Sequence, residues 1–241
     1  MKVFEVIAPT THSVHKINST GEKFRQNMGI RDLTKYYGPR GEDDPQPKNK
    51  LVKVLGHGAY AGAVEVQGKN EVMKISRGTD HPGNDPWYNY ISRLASGDYV
   101  SRNPWFPRVY KMKVYETIDK TFKYFYIAFM EKLYPLNSLS HEELLPLVAK
   151  TIEPSVASRV RSTISMSNYD PSKKLQKMSD GQLIELLVDK VRASSVKDPQ
   201  LKEALKFLNS FGHHTDISPQ NIMVRRTSVG PQLVLSDPLK D

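Results

Sequence analysis

Along residues 51–133 apolar positions come in short runs rich in β-branched and aromatic residues; from residue 140 they recur every three or four positions. "LVKVLGHGAYAGAVEV" (51–66) predicts a strand, a Gly-rich turn and a second strand, and "EVMKIS" (71–76) a third. "FPRVYKMKVYE" (106–116) and "KYFYIAFMEKL" (123–133) predict two longer strands with hairpin-like spacing around Asp119-Lys120. One short helix interrupts them: "DPWYNYISRLAS" (85–96) offers Asp85 as N-cap and Pro86 at the first helical position. Past residue 140 the helical period takes over. Ser140 with Glu143 forms a capping box opening "SHEELLPLVAKTI", and Ser179 with Gln182 forms another ahead of Leu183, Ile184, Leu187, Val188 and Val191. Asp198 and Pro199 open a further helix through Leu201, Leu205 and Leu208, closed by Gly212, and two short strands follow.

This succession predicts an α+β fold with a strand-rich lobe followed by a helical one. "PRGEDDPQPKNK" (39–50) is polar with three prolines and predicts a linker. The division is therefore an N-terminal extension and linker over 1–50, a strand-rich lobe over 51–133 and a helical lobe over 134–241.

Composition narrows the chemistry. With 241 residues, 38% of them hydrophobic, the chain can bury one substantial core or two small ones. There is no Cys, which excludes disulfides, thiolate zinc sites and cysteine nucleophiles. Apolar runs are too short to span a bilayer, and the N-terminus lacks the apolar core of a signal peptide; a cytoplasmic protein with no membrane partner is expected. The net charge of +9 favours anionic partners such as nucleotide phosphates, acidic proteins or nucleic acid. The basic residues are spread along the chain rather than gathered in one stripe, so nucleic acid is not the favoured partner.

Five short stretches carry candidate chemistry. "HHTDISPQNIMV" (213–224) places Asp216 two residues after a His and Asn221 five residues further on, just ahead of an apolar strand. "LGHGAYAGAV" has Gly56 and Gly58 in a G-x-G turn through which backbone N–H groups can approach a phosphate, with Tyr60 at its tip. Lys74 sits mid-strand in "EVMKIS", where an ammonium needs either an anionic partner or a solvent-facing edge. "AFMEKL" (128–133) and "LVLSDPLKD" (233–241) add Met130, Glu131, Leu133 and Asp237. Each has an ordinary alternative: a surface turn, a tight hairpin, an edge-strand Lys, a core Met, a turn Asp before Pro.

In order, however, Gly-rich turn, strand Lys, connecting segment, helices, H-x-D-x-x-x-x-N, strand and Asp resemble the protein-kinase superfamily. "LGHGAY", "QNIMV", "SDP" and "FPRVY" are most similar to the early serine/threonine kinases of T7-type bacteriophages, over roughly residues 51–239. The resemblance implies a minimal bilobal kinase-like fold whose helical C-lobe is truncated after the metal-binding Asp. It implies ATP and Mg as cofactors and host bacterial proteins as substrates. Asp216 would be the catalytic Asp, with Lys74 and Asn221 beside it in catalysis; Asn221 and Asp237 would hold the metal. Gly56, Gly58, Tyr60, Ala63, Lys74, Met130, Glu131 and Leu133 would line the nucleotide site. The chain departs from the family pattern at four places. The helix after Lys74 has no carboxylate from Pro86 to Gly97, Thr215 and Ser218 stand where kinases commonly carry Arg and Lys, and the chain ends four residues after Asp237, without an activation segment. Two other readings stay open: a small-molecule phosphotransferase resembling aminoglycoside kinases, and a pseudokinase that binds and inhibits a host factor.

Overall fold

The computed structural model describes residues 14–16, 52–57, 61–66, 69–76, 79–81, 85–97, 102–118, 123–152 and 175–240. The glycine-loop tip with Gly58 and Tyr60, the 39–50 linker and the Asp119-Lys120 turn lie outside them. Chain contacts divide the molecule into two units: Met1–Arg102 with Arg108–Lys132, and Asn103–Pro107 with Leu133–Asp241.

The first unit is built on a six-stranded sheet. In chain order its strands are β1 (Val14–Lys16), β2 (Val52–His57), β3 (Ala61–Val66), β4 (Glu71–Ser76), β5 (Val109–Glu116) and β6 (Tyr124–Glu131). Their spatial order is β1-β5-β6-β4-β3-β2. All neighbours run antiparallel except β1, which adds to the edge parallel to β5, with Val14 opposite Val114. The N-terminal region thus contributes a strand to this sheet, which its polar, mixed sequence did not predict.

One helix, α1 (Pro86–Ala95), packs against β5. Asp85 caps it as expected, its carboxylate accepting the Tyr88 N–H at 3.1 Å. Trp87, Tyr90, Ile91 and Leu94 recur at helical spacing and are all buried. Burying each such side chain contributes about 1.5–3 kcal/mol, which a ten-residue helix cannot obtain from its own hydrogen bonds. The β-branched and aromatic positions of β4–β6 fill the sheet core, with Ile75, Tyr126 and Ala128 fully buried.

The second unit is mainly helical: α2 (His141–Thr151), α3 (Asp180–Arg192) and α4 (Pro199–Asn209). Both capping boxes are present, with Glu143 and Gln182 each reaching back to the backbone N–H of its Ser. Asp198 caps α4 through the N–H groups of Gln200 and Leu201, at 2.8 and 3.1 Å. The helix ends at Asn209, earlier than expected; Ser210 is its C-cap, and Gly212 (φ 71°) lies beyond, where its left-handed backbone turns the chain toward the next strand. The apolar stripes of these helices — Leu144 and Val148, Leu183 and Leu187, Leu201 and Leu208 — are fully buried.

Five further strands are described in the unit, three of them only two residues long: β7 (Tyr134–Pro135), β8 (His214–Thr215), β9 (Ile222–Thr227), β10 (Gly230–Leu235) and β11 (Leu239–Lys240). They form a sheet in the order β10-β9-β7 and a small pair, β11-β8. Only β9 and β10 are long enough to be predicted from alternation; the two-residue strands are not. The fold is α+β, and among the described residues no helix is long and apolar enough to cross a membrane.

Candidate active site

In the second unit the stretch from Asp216 to Asn221 connects β8 to β9. The alternation that buries Ile222 and Val224 fixes the start of β9, so Asn221 falls on its threshold. The loop is tight: the N–H groups of Asn221 and Ile222 both donate to the Ser218 carbonyl, at 3.0 and 3.1 Å. Ile217 is buried and its carbonyl accepts from the Arg192 guanidinium on the last turn of α3, at 2.9 Å.

The Asn221 side-chain amide donates twice to Asp216, to its main-chain carbonyl at 2.9 Å and to carboxylate Oδ2 at 3.0 Å. Both acceptors are oxygens, so Nδ2 must face Asp216, and Oδ1 is left as the atom able to ligate. Asp216 Oδ1 is likewise left for an incoming group.

Asp237 is brought to this loop by backbone bonds. The Ser236 N–H donates to the Asn221 carbonyl at 2.8 Å, and the Asp216 N–H donates to the Pro238 carbonyl at 2.7 Å. Leu239 pairs with Thr215 and Lys240 with His214. Asp237 therefore sits between two cross-links that join its segment to the two ends of the Asp216–Asn221 loop. All three side chains are half-buried. Among the described residues no cluster of three or more His, Cys, Asp or Glu could hold a metal unaided. An amide oxygen and a carboxylate are the hard donors that suit Mg²⁺, which commonly takes one or two protein oxygens and completes its shell with phosphates and water. The donor set fits that ion.

In the first unit Lys74 lies mid-strand in β4, with Ala63 directly opposite on β3 and Ala128 on β6. Its Nζ stands over the Trp87 ring, 4.9 Å from the centroid. Trp87 stacks on Tyr126 at 5.2 Å with planes 16° apart, and Tyr88 packs on the same ring. Burial pushes the Tyr88 hydroxyl above its usual pKa.

Gly56 lies within β2, opposite Ala63, beside an irregularity in the ladder between Val54 and Gly56. Met130 and Glu131 end β6 and are buried. Glu131 is held by Arg108: its carboxylate accepts the Arg108 N–H at 2.9 Å and its own N–H donates to the Arg108 carbonyl at 3.0 Å. Leu133 begins the longer segment of the second unit.

The structure thus brings Asp216, Asn221 and Asp237 together in one unit, and Ala63 and Lys74 in the other. Sequence reasoning missed Trp87 and Arg192. Trp87 carried only the signal of a buried helix position, and Arg192 only that of a basic residue in a last turn. A pocket of about 310 Å³ between α2, α4 and the β9–β10 hairpin is lined by residues such as Trp105, Lys150 and Gln232 and includes none of the candidate site residues.

No family model matches this chain, and no curated protein does. Among solved structures it is similar to the crystal structure of the Mycobacterium tuberculosis PknI kinase domain, at 15% identity and a TM-score of 0.31. The match covers 78% of this chain, which spans 59% of the length of that domain.

Proposed function

We propose that the chain is an ATP- and Mg-dependent phosphotransferase of the protein-kinase kind, acting on Ser or Thr hydroxyls of proteins. The observation that carries this reading is the double donation of the Asn221 amide to Asp216, inside a loop tied by backbone bonds to both sides of Asp237. Phosphoryl transfer is catalysed by positioning and charge stabilisation, and this arrangement supplies both. Asp216 Oδ2 is held by the amide, so Oδ1 orients the acceptor hydroxyl and takes its proton as the oxygen bonds to the γ-phosphorus and the bond from that phosphorus to the β,γ-bridging oxygen breaks, ADP leaving. Asn221 Oδ1 and Asp237 would hold Mg²⁺, which when bound would neutralise charge on the phosphates. Lys74 holds the α/β-phosphates. The resemblance to phage kinases extends the proposal to host bacterial proteins as acceptors, in the host cytoplasm.

The test is incubation of the protein with γ-labelled ATP, Mg²⁺ and a bacterial lysate, beside the Asp216→Asn variant. Labelled proteins are expected, with transfer reduced by ~10²–10⁴-fold in the variant while its circular dichroism and ATP binding persist. Unchanged transfer by Asp216→Asn overturns the assignment of the catalytic Asp. Label in small metabolites alone identifies a small-molecule phosphotransferase; ATP binding without transfer identifies a binding protein.

A further inference from the structure

Strand β10 is paired along one edge only. The Ser236 N–H donates to the Asn221 carbonyl at 2.8 Å, which fixes the parity of the ladder: even-numbered residues of β10 turn their main-chain groups to β9. The odd-numbered ones turn theirs away. Leu235 agrees, its N–H donating to the Trp105 carbonyl at 2.7 Å. Pro231 agrees too, since it has no N–H to lose where the strand faces outward. Between them stands Leu233. Its N–H and carbonyl face the open edge, and among the described residues neither finds a partner there.

The pocket of about 310 Å³ lies along this edge. Leu233, Pro231 and Trp105 all line it, and every lining residue belongs to the second unit. Leu233 is 2% exposed, so bulk water has little access to its N–H, and a buried donor left unpaired is unfavourable. The opening is bounded at both ends. Trp105 occupies the edge at Leu235, and Pro231 offers no donor at the other end. What remains is a short slot presenting the Pro231 carbonyl, then the Leu233 N–H and carbonyl. That alternation of acceptor and donor complements an extended peptide.

The walls indicate which peptide. Leu147 on α2 and Val229 at the hairpin tip add apolar surface. Val229 is 95% exposed and is held there by Thr227, whose hydroxyl accepts the Val229 N–H at 3.3 Å and donates to the Gly230 carbonyl at 2.6 Å. Two charged residues line the pocket. Asp198 is engaged in capping α4, its Oδ1 accepting the Gln200 and Leu201 N–H groups. Lys150, on the last turn of α2, is exposed and has no carboxylate partner among the described residues. The charge open to an occupant is therefore positive.

We propose that this slot docks a short extended segment of an acceptor protein, adding beside β10 and carrying an acidic residue for Lys150 next to apolar ones. Its role toward acceptors rests on the phosphotransferase reading above; the peptide site itself does not.

The experiment uses the full chain labelled with ¹⁵N-leucine. The probe is an acetylated heptapeptide alternating leucine and aspartate, beside one with lysine for aspartate and one with a fully N-methylated backbone. The Leu233 amide signal, identified by its loss in Leu233→Ile, is expected to shift on titration with the aspartate peptide and not with the N-methylated one. Lys150→Glu and Val229→Asp are each expected to raise the Kd of the aspartate peptide about 3- to 10-fold. Both side chains are exposed, so the fold is retained. In the labelled-ATP lysate assay, excess aspartate peptide is expected to cut the labelling of proteins at unchanged KM for ATP. A Leu233 amide that moves with no peptide, or equal affinity for the aspartate and lysine peptides, overturns the proposal. Binding at Leu233 with protein labelling undiminished overturns the docking role. If the wild type transfers no phosphate while the aspartate peptide still shifts Leu233, the phosphotransferase reading alone has failed and the peptide site stands.

Discussion

Replacing Asn221 by Asp changes one atom type where the candidate site is tightest. The Nδ2 that donates to Asp216 Oδ2 at 3.0 Å becomes a carboxylate oxygen. Two unit charges at that distance repel by about 5–6 kcal/mol at an effective dielectric of ~20. Proton uptake limits the effect. An ordinary Asp carboxyl, pKa ≈ 3.9, can be protonated at pH 7 for about 4 kcal/mol, and at pH 5 for about 1.5 kcal/mol. Half-exposure and loop relaxation lower both figures, so an added destabilisation of about 1–3 kcal/mol is expected at pH 7. Asn221→Ala is the reference, because it removes the same two hydrogen bonds without adding charge; its loss is about 1–3 kcal/mol and changes little with pH. The sign is definite: the folded Asp variant binds a proton that its unfolded chain does not hold, so its stability rises as the pH falls from 7 toward 5. Urea unfolding of the wild type and both variants at the two pH values measures this. If Asn221→Asp matches Asn221→Ala at both pH values, or matches the wild type, the amide does not bond to the Asp216 carboxylate and the proposed site geometry is wrong.

Two further outcomes concern the frame around the site. The Glu143 carboxyl is held below its ordinary value of 4.5, first by the Ser140 backbone N–H and then by Arg226; Glu143→Gln keeps the capping bond, as Gln182 does in α3, and removes only the charge. The stability from this lowered pKa is present above 4.5 and is lost as the pH falls through the folded value, so the variant should be less stable than wild type near neutrality and the gap should close in acid; a gap constant in thermal unfolding from pH 7 to pH 3 rejects this. Arg225 is buried and donates to the carbonyls of Pro104 (3.0 Å) and Phe106 (2.8 Å) and to Gln232 Oε1 (3.1 Å). Arg225→Met should lower the urea midpoint by an amount equivalent to about 2–4 kcal/mol at unchanged m-value, and a loss below about 0.5 kcal/mol would show that those carbonyls find water instead.

Legibility in the sequence followed the range of each interaction. The caps at Asp85, Ser140, Ser179 and Asp198 are local hydrogen bonds spanning three residues, and all four were readable. The strands of the first sheet, from Val52 through Glu131, were legible because their β-branched and aromatic runs face a packed interior. β1, β8 and β11 were not, because two or three residues carry no period and their pairing depends on partners far along the chain. In the candidate site, the Asp216–Asn221 spacing marked residues that the structure does join. The neighbour of Lys74 was invisible for a different reason. A carboxylate is the partner that sequence marks for an ammonium, and Trp87 reads as core, since the face it turns to the cation belongs to a ring that is also buried.

The bonds joining the Asp216–Asn221 loop to residues 236–238 run through main-chain atoms, from Ser236 N to Asn221 O and from Asp216 N to Pro238 O. Main-chain bonds are indifferent to side-chain identity as long as the residue is not a proline where the N–H is needed. Between the clamped ends, Pro219 and Gln220 are exposed and Ser218 contributes its carbonyl as acceptor. The lettering of this turn can therefore change at 218–220 while Asp216, Asn221 and Asp237 keep their spacing. Two chains could share the same reactive frame and yet look unrelated when their letters are aligned, which makes the distances among these atoms a better guide to kinship than the text between them.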